Sequence, residues 1–260
     1  MQEDYSMKEA KYYNNVFFVN HLHEPYQSAQ AMVPLLYETF KPSSVVDFGC
    51  GVGNWLKVWK ESTPVKDLLG IEGPYIKKEL YKIPEEMIML TDLKNKVELG
   101  RKFDLVISLE VAEHLPHESA ETFVSSLVAA GDVVVFSAAI KGQLGTYHIN
   151  EQYPEYWAAI FKKFGYEVVD YLRPMIWNNQ SIEYWYRQNV LIFIKPEVLH
   201  NYPVLLPYHK VSNPEYLLRI HPEQFNLKLE LINRTSTIFG FMHWRLYLLK
   251  VYVKKLFNIK

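Results

Sequence analysis

An α/β fold built on a mostly parallel sheet is predicted by two observations. The first is the stretch at residues 45–56, Val-Val-Asp-Phe-Gly-Cys-Gly-Val-Gly-Asn-Trp-Leu. Two β-branched residues begin a short buried strand, Asp47 stands at its end, and Gly49, Gly51 and Gly53 follow at alternate positions. Trp55, Leu56, Val58 and Trp59 then resume with helical spacing. Strand, glycine turn and helix form the first unit of nucleotide-binding α/β domains, where glycine lets the backbone approach a ligand closely. The second observation is continuity: short apolar runs and helical patterns alternate as far as residues 132–137, Asp-Val-Val-Val-Phe-Ser.

The elements follow in order. Residues 1–24 are polar and aromatic and read as an N-terminal arm. Residues 26–40 predict a helix leading into Pro42 and the first strand. A second strand ends in Leu68-Leu69-Gly70-Ile71-Glu72, a third spans 87–93 and carries Asp92 near its end, and a fourth spans 103–108. The fifth is 132–137, and a helix over 155–164 stops at Gly165. Two β-rich runs, 167–171 and 189–194, flank an aromatic insert at 177–187 and fit an antiparallel hairpin. Past Pro196 the α/β pattern stops, and the proline-rich stretch 201–225 reads as an extended connector.

The glycine spacing separates two kinds of cofactor. Dinucleotide sites place glycine at the first, third and sixth positions of the turn to admit a pyrophosphate. Here the positions are first, third and fifth, and Asp47 stands just before them. A carboxylate there repels a pyrophosphate but can pair with the ammonium of an amino-acid ligand. Glu72 lies where an acid can hold two ribose hydroxyls, and Asp92 can accept from an adenine amine or cap a helix.

With these residues in place, the chain resembles class I S-adenosylmethionine-dependent methyltransferases over roughly residues 25–195. The resemblance implies a Rossmann-like seven-stranded sheet with helices on both faces, an antiparallel last hairpin, and the cofactor at the carboxyl ends of the first strands. It also implies that Asp47 and the turn of Gly49, Cys50 and Gly51 face the methionine part. Glu72 would take the ribose, and Asp92 and Leu93 the adenine. Leu109, at the end of the fourth strand, joins the cofactor set. The expected organisation is an arm (1–24), the methyltransferase domain (25–195) and a C-terminal extension (196–260).

Composition narrows the function. The chain has 28 basic and 29 acidic residues, a net charge of −1, which gives no case for binding DNA. Its single cysteine, Cys50, excludes an intramolecular disulfide and points to a reducing, cytoplasmic setting. Within the glycine turn Cys50 reads as a small packing residue rather than a nucleophile. No run of 18 apolar residues suggests a membrane span.

The chemistry is expected in the loops after strands four and five. Glu110, Glu113 and His114 form a Glu-x-x-Glu-His pattern, and a helix starting at Glu110 would put all three on one face. After strand five comes a loop that includes Gln143, Tyr147, His148, Asn150 and Gln152. A histidine titrates near neutral pH, so His148 or His114 suits a general base for a hydroxyl nucleophile. The same residues allow a second reading. Glu110, Glu113, His114 and His148 could hold one divalent ion, Mg2+ or Mn2+ or else zinc, as in metal-assisted O-methyltransferases of the small-RNA and ubiquinone-pathway types, which the pattern resembles. A purely structural role stays open beside both.

The loop at 145–157 and the block at 183–189, Glu-Tyr-Trp-Tyr-Arg-Gln-Asn, more loosely resemble bacterial and viral methyltransferases associated with surface polysaccharide assembly. That resemblance implies a small-molecule or glycan acceptor, with Tyr147, Asn150, Gln152, Tyr184 and Arg187 as substrate contacts. Aromatic faces suit sugar rings, and amide and guanidinium groups suit hydroxyls or a phosphate. The rival readings are an RNA 2′-hydroxyl or small phenolic acceptor, and a non-catalytic binding protein on the same scaffold. Finally, residues 238–260 contain one Arg and four Lys and no acid among apolar and aromatic residues. They predict a helix for peripheral contact with the inner face of a membrane, or for self-association.

Overall fold

A computed structural model describes residues 23–236 and 242–249. Nearly all of the expected N-terminal arm, and much of the tail at 238–260, lie outside these residues. The chain divides into two compact units, one ending at Arg219 and one beginning at Ile220.

The first unit is built on seven strands: β1 (Ser44–Phe48), β2 (Asp67–Glu72), β3 (Ile88–Leu90), β4 (Leu105–Leu109), β5 (Val133–Ser137), β6 (Glu167–Val169) and β7 (Leu191–Ile194). They form one sheet in the order β3-β2-β1-β4-β5-β7-β6. The pairings among the first five are parallel, and β7 runs antiparallel to both β5 and β6. The expected seven-stranded Rossmann-like sheet with a reversed last hairpin is therefore what the chain forms.

Helices α1 (His23–Phe40) and α2 (Asn54–Ser62) cover one face, and α3 (Ala120–Ala130) and α4 (Pro154–Lys163) the other. Strand alternation explains the two cores. Val45, Ile107 and Val135 pack with Met32, Leu36 and Trp59 on one side. Val46, Phe48, Val106 and Phe136 pack with Phe123 and Trp157 on the other. Because both faces are covered, β1, β4 and β5 are buried along their whole length. Phe161 stacks flat on Phe193, ring centroids 3.9 Å apart, and fixes α4 against β7. Pro154 occupies the first turn of α4, and Gly165, at φ +77°, turns the chain after its end.

Three expectations need correction. The third strand stops at Leu90 because β3 is an edge: Met89 and Leu90 face solvent, and the next amide, of Thr91, bonds back to the Glu72 carbonyl at 2.8 Å. The aromatic insert is helical, with α5 (Leu172–Ile176) and α6 (Tyr184–Asn189), so Asn189 belongs to a helix and not to the last strand. Nor is 201–225 an extended connector. After α7 (Pro196–Leu199), Pro203 opens a 3-10 turn and Pro207 lies in the first turn of α8 (Leu206–Val211). Proline is tolerated at such starts, where its missing N–H is not needed. Leu199, Leu205 and Leu217 are buried, so this segment continues the first unit past residue 195.

The second unit contains α9 (Pro222–Ser236) and a helical segment at 242–249. Among the described residues no helix is long and apolar enough to cross a membrane.

Candidate functional site

From β1 the sheet order runs outward both ways, to β2 and to β4. At such a switch point the loops at the strands' carboxyl ends part and leave a crevice. Here it opens into a cavity of about 400 Å3, the size of a small-molecule site.

One wall is the glycine turn. Gly49, Gly51 and Gly53 all have positive φ, at +80°, +55° and +87°. A Cβ on Gly49 would also lie 2.4 Å from Val111 Cγ2, so glycine is required there on both counts. The amides of Gly49 and Cys50 donate to the Ile71 carbonyl at 2.8 and 3.2 Å and tie the turn to β2. Cys50 Sγ packs over Gly70. Burial, with Glu72 and Asp47 nearby, pushes its thiol well up, so it stays protonated and is no nucleophile.

Glu72, at the end of β2, faces the cavity. Its Oε2 accepts from the Gly51 amide at 2.6 Å, and its Oε1 from the Gly73 amide at 2.8 Å and the Tyr75 hydroxyl at 2.7 Å. Burial raises its pKa and these three donors oppose the rise. Leu93 and Leu109 also line the cavity. Two acids of the expected cofactor set do not. Asp47 is buried inside β1, where its Oδ2 has no hydrogen-bond partner, and burial followed by the charge of Glu72 lifts its pKa well up. Asp92 caps a turn by accepting from the Lys94 amide at 3.0 Å, and it lies outside the lining.

The opposite wall carries the acids and histidines. Glu110 does not start a helix: its φ is +58°, and its amide donates to the carbonyl and hydroxyl of Ser137 at 3.0 and 3.1 Å. Its carboxylate accepts from Gln143 at 3.1 Å and from Asn189 at 3.1 and 3.3 Å. Burial raises its pKa and those amides hold it down. Glu113 and His114 lie in a 3-10 turn (Ala112–His114). Glu113 is fully buried and neither carboxylate oxygen has a partner. Burial, then Glu110, pushes its pKa well up. The same residue's carbonyl accepts from the amides of Ile149 and Asn150 at 2.9 and 3.0 Å, which docks the following loop.

That loop is shaped by Glu151. One carboxylate oxygen accepts from the Gly142 amide at 2.7 Å, and the other accepts from Leu144 at 2.7 Å and meets His148 Nδ1 at 2.9 Å. His148 Nε2 lies over Gly145, where a Cβ would come within 2.2 Å of it. The His148 and His114 rings meet edge to face, centroids 4.8 Å apart. Burial first, and then His148, lower the His114 pKa to about 3, against a weak contact with the Tyr147 carbonyl. One ligand atom from each of Glu113, His114 and His148 lies within 4.8 Å of the others, a grouping able to hold a metal ion. Glu110 falls outside it, held by Asn189 and Gln143.

Of the expected substrate contacts, Tyr184 lines the cavity. Tyr147, Asn150, Gln152 and Arg187 do not. Tyr147 has a positive φ of +60°, Asn150 is buried and accepts from Gln152 at 3.0 Å, and Arg187 is buried and donates to the Trp177 carbonyl at 3.3 Å. Sequence reasoning missed Tyr75, Trp55 and Tyr186 as wall residues, and Glu151 as the organiser of the loop. For Glu151 a signal existed, since it follows His148 by three residues.

Comparison with known proteins supports the architecture. No curated protein matches the chain in sequence. The plantazolicin methyltransferase BpumL, solved with S-adenosylhomocysteine, superposes with a TM-score of 0.51 at 15% identity, over 72% of this chain and 91% of its own. An O-methyltransferase from Nostoc punctiforme, named putative, gives 0.52 at 15% identity, over 69% of this chain and 59% of its own. The methyltransferase domain of bacterial CtHen1 gives 0.49 at 19% identity, over 66% and 98%. At these identities the two likenesses above 0.5 show the fold. In sequence, residues 21–171, more than half of the chain, match the family model described as methyltransferase domain, and the chain belongs to that family.

Proposed function

We propose that this chain is an S-adenosylmethionine-dependent O-methyltransferase, acting on a hydroxyl of a sugar or glycan-linked group of the kind methylated in bacterial surface polysaccharide assembly. The observation that carries this reading is the pairing of His148 with Glu151 at 2.9 Å in the cavity that the glycine turn and Glu72 also line. The residues present fit the cofactor. Glu72 offers a carboxylate to a ribose diol, and the 49–51 backbone with the side chains of Leu93 and Leu109 offers a close apolar cradle. When bound, the sulfonium supplies an electrophilic methyl group.

The protein's part is to align a hydroxyl and remove its proton. Glu151 holds Nδ1 of His148, which leaves Nε2 to take the proton. His114, with its pKa near 3, is too weak a base for that role. Tyr184 and Trp185 on α6 give the wall aromatic faces suited to a sugar ring.

A second reading is favoured by the grouping of Glu113, His114 and His148 and by the partnerless Glu113 carboxylate. These three would hold Mg2+ or Mn2+, which would orient and acidify an RNA 2′-hydroxyl or a phenol. Methyl-labelled S-adenosylmethionine offered with nucleotide sugars, a short RNA and a catechol tests both. The first reading expects an alkali-stable methyl ether on the sugar, unaffected by EDTA and lost in His148→Ala. Label on RNA or catechol that EDTA abolishes and Mn2+ restores supports the second. Undiminished transfer by His148→Ala in EDTA would defeat both.

A further inference from the structure

The second unit differs in charge and surface from the rest of the protein. Residues 220–260 contain seven basic and two acidic residues, a net charge of +5, whereas residues 1–219 contain 21 and 27, a net charge of −6. No acid occurs after Glu230. Exposed apolar bulk is concentrated in the same place. Of the 23 large apolar side chains exposed among the described residues, 12 belong to this unit, which supplies only 25 of those residues.

The sequence pattern explains why these side chains stay uncovered. Along α9, Phe225, Leu229 and Ile232 fall on one side and Leu227 and Leu231 on another, and all five are exposed. A single packed neighbour could cover only one of the two stripes. The segment at 242–249 goes further. Six of its eight side chains are large and apolar, each 37–60% exposed, with only His243 and Arg245 between them. A helix that is apolar all round does not rest in water. Among the described residues no helix is long and apolar enough to cross a membrane.

Charge selects the occupant. A second copy would present the same +5 unit, so an isologous contact would set like charges against one another. An anionic surface complements it, and the headgroup boundary of a bilayer takes up exposed apolar side chains of helices that also carry Lys and Arg. We propose that α9 and the helical segment at 242–249 bind peripherally to a bilayer containing anionic phospholipid. The apolar residues insert at the headgroup boundary, and Lys228, Arg234 and Arg245 remain at the headgroups. The methyltransferase cavity would then work on acceptors presented at a membrane surface.

Sedimentation of the full chain with sucrose-loaded vesicles tests this, using phosphatidylcholine alone against phosphatidylcholine with a third phosphatidylserine. The expected result is a partition at least tenfold higher on the anionic vesicles, falling several-fold in 0.5 M salt as screening shortens the reach of the charges. Arg245→Glu should lower it several-fold, and Leu246→Glu with Leu249→Glu should bring it to the neutral-vesicle level. All three side chains are exposed and lie outside the cavity, so S-adenosylhomocysteine binding, measured alongside, should report an intact first unit. Equal partition on both vesicles, wild-type partition by the double variant, or no partition would overturn the proposal. A chain that ignores vesicles but doubles its mass in light scattering would assign the surface to a second copy instead.

Discussion

Replacing Tyr75 by Phe should have two effects of opposite sign, and the magnitude follows from the hydrogen bonds of Glu72. A carboxylate offers about four acceptor positions. Three are taken by the amides of Gly51 and Gly73 and the hydroxyl of Tyr75. A ribose diol held by Glu72 needs two, so one donor must leave. The two amides belong to the backbone of the turn and of the β2 exit, whereas Tyr75 can rotate away. Its 2.7 Å bond to an acid is worth about 1.5–3 kcal/mol. Tyr75→Phe removes that competitor. S-adenosylhomocysteine should bind about tenfold more tightly by calorimetry, equivalent to about 1.4 kcal/mol. The free protein should meanwhile melt a few degrees lower, since about 1 kcal/mol shifts a domain of this size by roughly 2–4 °C. Unchanged or weaker binding by the variant would refute the competition, and Glu72 would then hold the diol with Tyr75 in place.

Three other outcomes follow from the same geometry. Gly49→Ala should destabilise the fold and lose cofactor binding, because it meets both a positive φ and Val111; a wild-type melting temperature would contradict the clash. Arg173 is fully buried, bidentate to Asp170 at 2.7 and 2.8 Å and bonded to the carbonyls of Gln188 and Leu217, so Arg173→Met should cost about 3–5 kcal/mol in urea unfolding. A loss below about 1 kcal/mol would show the pair to be dispensable. For His114 the folded pKa is lowered to about 3, so its contribution to stability is complete above the unfolded value near 6.5 and is lost as pH falls towards 3. The slope is at most about 1.4 kcal/mol per pH unit. Between pH 6.5 and 4, His114→Gln should therefore lose stability less steeply than the parent, and parallel curves would refute the buried neutral imidazole.

The sheet was legible because its signals are local. Val45 to Gly53 specify a strand and a left-handed turn within nine residues, and the apolar runs at β4 and β5 need only be buried on both faces. The same locality misled at Glu110. Its i, i+3, i+4 pattern with Glu113 and His114 predicts a helix, but Ser137 on the neighbouring strand holds its amide and forces φ to +58°. Tyr184 to Asn189 was half hidden for a similar reason. Aromatic residues suit strands, and burial against Trp55, whose ring lies 5.3 Å from that of Tyr186, decides for a helix. Asn150, Gln152 and Arg187 looked like substrate contacts because their side chains are polar, yet Gln152 donates to Asn150 and Arg187 to the Trp177 carbonyl. Polar groups that are bonded internally leave no trace in a single sequence.

The Glu151 carboxylate gives the loop a particular evolutionary constraint. One side chain fixes two backbone amides and the ring of His148, so the orientation of the imidazole is tied to the spacing from Gly142 through Leu144 and His148 to Glu151. An insertion or deletion between Gly142 and Glu151 would therefore disturb these contacts, although loops ordinarily tolerate such changes. Tyr184 and Trp185, by contrast, line the cavity, are partly exposed and make no contact with that clamp, so substitutions there leave the geometry of the loop intact.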